Sequence, residues 1–145
     1  MKSYWLTPVE FCADRTIMPG ERIELGPEQD RERFLALVKA VHSRMLVPFK
    51  ANLLLSEEAE LACGVDELPF DLSSSEEIAF DERLALSHCA LAYIDRLPSA
   101  SEMSGWLQTA AKRAAGETGA ERIAGWLHMM NKWNEQGLPV MLLVQ

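Results

Sequence analysis

The chain has 145 residues, 48% hydrophobic and 25% charged, a balance that fits one globular domain and excludes a collagen-like, disordered or disulfide-scaffold chain. At 16.3 kDa it should bury about two thirds of the roughly 24,000 Å² its unfolded form exposes, enough for one real core. With 14 Lys and Arg against 22 Asp and Glu, net −8, it lacks the cationic surplus that releases counterions from phosphates, so no direct nucleic-acid binding is expected and a basic partner is favoured.

Cys12, Cys63 and Cys89 form no CxxC pair, and the reading is reduced thiols in a cytoplasmic protein. The N-terminus meets Pro8 and Glu10 before any apolar run of signal-peptide length, so no targeting segment is expected. The apolar run at 140–144 falls far short of the roughly 20 residues of a membrane span, so no membrane partner is expected.

In chain order, Tyr4, Leu6, Val9 and Phe11 flank Pro8, and Ile23 and Leu25 alternate with Arg22 and Glu24 after a Pro19-Gly20 turn signal. Two short strands or a loose hairpin follow, with Pro8 demoting the first to an edge because proline cannot donate to a ladder. From Pro27 the period changes. Phe34, Leu37, Val38, Val41 and Met45 make one helical stripe ending before Pro48, with Glu28 and Asp30 near the positive end of the dipole.

Ser56 predicts a short helix stopping near Gly64, and 65–75 reads as a loop. Ser74 and Glu77 then form a capping-box pair before a helix with Leu84, His88, Leu91 and Ile94 on one stripe, closed by Pro98. Ser99 with Glu102 is a second capping box. It precedes a helix with Met103, Trp106, Leu107, Ala110 and Ala114 inward, ending at Gly116. Thr118 with Glu121 starts the last helix, carrying Ile123, Trp126, Leu127, Met130 and Trp133, stopped by Gly137 and Pro139. Val140 to Val144, apolar on both faces, predicts a strand covered on both sides beside an N-terminal strand.

The expected fold is therefore α+β and predominantly helical, with about five helices and a small sheet built from the N-terminal strands and the C-terminal strand. Residues 1–145 form a single compact domain, with an acidic insertion-like segment at 56–82. The pattern GWLxxxxK occurs at Gly105 and again at Gly125. Two copies do not make a solenoid, and the simpler account is two adjacent helices that each place a Trp in the core, with a Gly permitting close approach.

Chemistry has few candidates. His42 borders the first helical stripe, His88 adjoins Cys89, and His128 sits near the edge of its stripe, but none has a His four residues away and no HExxH or CxxC exists. No metal site, cofactor or catalytic residue is expected. His88 and Cys89 would point about 100° apart on a helix, so the imidazole does not activate the thiol. Phosphate cradles and the GxSxG elbow are absent.

The strong asymmetry is charge. Glu57, Glu58, Glu60, Asp66, Glu67, Asp71, Glu76, Glu77, Asp81 and Glu82 fall in a stretch, 51–82, that contains no Lys or Arg. Such a field steers a cationic partner and repels phosphates. Phe70 and Phe80 supply apolar anchors, since binding energy concentrates in a few buried side chains. The expectation is a small, acidic, non-enzymatic interaction protein that binds, and in the manner of inhibitor, immunity or anti-defence proteins inhibits, a basic macromolecule. Two other classes compete with it. One is a small-molecule binder or enzyme with a pocket lined by Trp5, Trp106, Trp126 and His128; the other is a homodimer formed by pairing helix faces.

Overall fold

A computed structural model of the chain describes residues 3–11, 16–45, 84–85 and 97–144. Their elements are β1 (Tyr4–Phe11), β2 (Thr16–Pro19), β3 (Ile23–Glu24), α1 (Glu28–Val41), β4 (Leu84–Ala85), α2 (Ala100–Ala115), α3 (Glu121–Glu135) and β5 (Val140–Val144). The fold is α+β. Among the described residues there are three helices, not five. The helix expected from Ser56 lies outside the described residues, as does most of the one expected from Ser74. At Leu84–Ala85 that second helix gives way to a strand, antiparallel to β2 with Ile17 opposite Leu84. Leu84 and Leu86 suit a period of two as well as a helical stripe, and pairing to β2 decided between them.

The sheet is antiparallel and built on β1. Trp5 and Leu6 pair with Leu143 and Leu142 of β5 and also with Glu24 and Ile23 of β3, so β5 and β3 occupy opposite edges. β2 continues the β3 side, pairing Val9 with Pro19. The expected edge position of β1 is therefore corrected: it is the central strand. Pro8 is tolerated because of a bulge. Its carbonyl accepts from Gly20 N at 2.8 Å, and in an extended chain a residue's nitrogen and carbonyl project to the same edge. The missing donor thus faces 20–22, where two residues of β1 oppose three on the returning strand and the ladder is already interrupted.

Side-chain alternation gives the sheet two buried faces. Leu6, Val140 and Leu142 join Phe34 and Val38 of α1, Leu107 of α2, and Ile123, Trp126, Leu127 and Met130 of α3 in one apolar cluster. On the opposite face Thr7, Val9 and Met141 are no more than 1% exposed, as the unbroken apolar run of β5 predicted. Thr7 satisfies its buried hydroxyl by donating to Pro8 O at 3.2 Å and Gly20 O at 3.4 Å.

The first helix, expected to run to just before Pro48 with Met45 on its stripe, stops at Val41, where His42 caps it by donating its N–H to Val38 O, so Met45 lies beyond it. The other helix ends follow their local codes, with one exception. Ser99 Oγ accepts from Glu102 N at 3.1 Å and Glu102 Oε1 accepts from Ser99 N at 3.4 Å, completing the capping box. α3 ends in a Schellman motif: Gly137 has φ +76°, its N–H donates to Asn134 O, and Leu138 N donates to Trp133 O. The exception is the start of α3. Its N-cap is Ala120 with no side-chain cap, so the Thr118 and Glu121 capping box is corrected. Arg33 of α1 holds the turn instead, donating from Nη1 to Gly119 O and from Nη2 to Thr118 O and Glu117 Oε2 at 3.3–3.4 Å. Docking against α1, rather than a local cap, organises that turn.

The GWL echo also resolves differently from expectation. Trp126 is buried, edge-on to Phe34 with ring centroids 5.4 Å apart, but Trp106 is only half-buried at the margin of its helix's apolar stripe. Gly105 and Gly125 are exposed, and a Cβ on either would meet nothing within 4 Å. Neither glycine permits a close approach between described residues.

Candidate functional site

Every residue expected to contact a partner lies outside the described residues: Glu57, Glu58, Glu60, Asp66, Glu67, Phe70, Asp71, Glu76, Glu77, Phe80, Asp81 and Glu82. So do His88 and Cys89. The described body bears on them through its charge. It carries nine basic and ten acidic side chains, near balance. Four of its arginines pair with its own carboxylates: Arg31 with Glu28 at 3.9 Å, Arg33 with Glu117 at 3.3 Å, Arg44 with Glu102 at 3.1 Å and Arg122 with Asp30 at 3.0 Å. Each pair has at least one exposed partner and so adds little stability, but together they cancel much of the body's own field.

The residues expected to line a Trp pocket are not gathered. Trp126 is core, Trp5 lies under the Arg22 guanidinium at 4.9 Å, Trp106 stacks on His42, and His128 is exposed on α3. The physical reason is helical phase. Trp126 falls at the centre of its apolar stripe, whereas Trp106 is turned toward the C-terminus of α1 and His128 points outward.

One polar cluster went unread in the sequence. The His42 and Trp106 rings lie 4.1 Å apart at 15°, and the Arg44 guanidinium is 6.0 Å from the indole. Arg44 Nη1 meets Glu102 Oε2, while Glu102 Oε1 accepts from Ser99 N and Oγ. Arg44 N donates to His42 Nδ1 at 3.1 Å, so that nitrogen is an acceptor and the proton of a neutral ring sits on Nε2. Nδ1 is taken by the backbone, and Glu102, the carboxylate of the cluster among the described residues, is held by Arg44 and the capping box. It clamps the end of α1 to the start of α2. No sequence signal finds it, because its halves are about 60 positions apart.

Among the described residues, no group of three or more His, Cys, Asp or Glu is placed to hold a metal ion. No described helix is long and apolar enough to cross a membrane. The chain matches no family model, no curated protein and no solved structure.

Proposed function

We propose that the protein is a non-enzymatic interaction protein whose acidic stretch, 51–82, docks on the basic surface of a larger macromolecule, covering or mimicking a phosphate path. The observation that carries this reading is the segregation of charge. Ten carboxylates and no cation occupy that stretch, while the described body is nearly balanced and pairs four arginines with its own acids. A charge surplus kept in one part of a chain makes a directional field that accelerates encounter with a cation-rich surface and weakens with salt. Phe70, Phe80 and the neighbouring leucines would supply the apolar anchors.

The test is a partner captured from the host's extract at low salt, then measured by association kinetics across a salt titration. Glu76→Lys with Glu77→Lys should weaken binding by about 1 kcal/mol or more, roughly fivefold, chiefly through the on-rate and most strongly at low salt. Unchanged affinity and on-rate in the double variant at every salt concentration would refute the proposal.

A further inference from the structure

Where the α2–α3 hairpin meets the start of β5, the structure holds an open-mouthed cavity of about 110 Å³. Its floor is Met103, Leu107, Met130 and Val140, each no more than 8% exposed. Half-buried Leu138 and Asn134 stand at the rim. No charged side chain is among its described lining residues.

Protein interiors are packed to crystal density and keep few voids larger than one water, whose share of liquid is about 30 Å³. This cavity is several times that, and its own methionines, the most adaptable of core side chains, leave it open. The polar groups of the lining are Asn134 and backbone, so an ordered water, which needs two to four polar partners, has none to use among the floor side chains and is confined to the mouth. Among the described lining residues the one polar side chain is Asn134. Its Nδ2 donates to Ala100 O at 2.9 Å, which leaves Oδ1 as an acceptor at the mouth.

We propose that this cavity is a binding site for a small uncharged molecule: a six-membered ring or short aliphatic chain seated on the two methionines, with one hydroxyl or N–H donating to Asn134 Oδ1. The size follows from volume, because an engineered apolar cavity of about 150 Å³ takes benzene and one of 110 Å³ takes a ring of that size with little to spare. The described walls carry no charge, so an ionised ligand would lose hydration there without a counter-charge. None of its lining residues belongs to 51–82, and its test reads the methionines of the hairpin alone.

The experiment is methyl NMR of the full chain, labelled at methionine and titrated with phenol, benzene and benzoate. The expected result is saturable shifts of Met103 and Met130 with phenol, unmoved Met45 and Met141, at least severalfold weaker binding of benzene, and none of benzoate. Leu138→Trp, which closes the mouth, should weaken phenol at least tenfold; the wild-type titration stands even if that variant does not fold. Failure of phenol to saturate, equal shifts at Met45 and Met141, equal affinity for benzene and phenol, or binding of benzoate would each overturn the proposal.

Discussion

Replacing Gly125 with alanine should stabilise the protein, and the structure sets the size of the gain. Gly125 lies in the second turn of α3 with helical backbone, since the described positive-φ glycines are Gly119 and Gly137. The new methyl would touch nothing within 4 Å, so packing contributes neither gain nor clash. What remains is intrinsic propensity, about 0.8–1.0 kcal/mol in favour of alanine within a helix. Gly105 on α2 is in the same situation, and because the two methyls share no contact their effects should add to about 2 kcal/mol. With an unfolding entropy near 2.1 cal/mol/K per residue, each substitution raises Tm by about 3 °C. Gly137→Ala is the opposing control. It too has open space, but φ is +76°, so alanine there costs roughly 1–2 kcal/mol and lowers Tm by about 3–6 °C. Thermal and urea unfolding followed by circular dichroism read all three. Destabilisation at Gly105 or Gly125 would mean that something closely approaches those faces, and no penalty at Gly137 would break the account of the α3 terminus.

Ser99→Ala removes the capping box that starts α2 and should cost about 1 kcal/mol, measured as a lower urea midpoint with an unchanged slope; an unaffected midpoint would show that docking alone sets that helix start. Arg33→Ala should cost more than Glu117→Ala, because Arg33 also serves the carbonyls of Thr118 and Gly119, whereas the exposed ion pair itself contributes only about 0.2–1 kcal/mol. A double-mutant cycle checks this, and a coupling energy as large as the whole Arg33→Ala effect would contradict it.

Charge is divided unevenly along the chain. The described body ties its arginines to carboxylates across element boundaries, Arg33 to the α2–α3 turn, Arg44 to the start of α2 and Arg122 to Asp30 on α1. These pairs orient α1 across the hairpin while leaving the body nearly neutral. The stretch 51–82, flanked by Lys50 and Arg83, contains ten carboxylates and no cation of its own, which makes it the part of the chain whose charge is worth reversing.

Local signals were sufficient where the deciding forces are local. Helices on the stretches now seen as 28–41, 100–115 and 121–135, the Ser99 capping box and the Gly137 stop were readable, though not the early end of the first helix at Val41, because 3.6-residue periodicity, cap hydrogen bonds and left-handed φ act within a few residues. The unbroken apolar run of β5 likewise announced a strand covered on both faces. Tertiary structure decided the rest. Pro8 sits in a central strand because a bulge formed by 20–22 absorbs its missing donor, Leu84 pairs with β2 although it fits a helical stripe, and Arg33 replaces a cap at Thr118. The same holds for Trp106 against His42 and for the cavity between Met103 and Met130. Each depends on which surfaces meet after the chain has turned back on itself, and a void or a cross-chain hydrogen bond leaves no periodic trace in the residues that surround it.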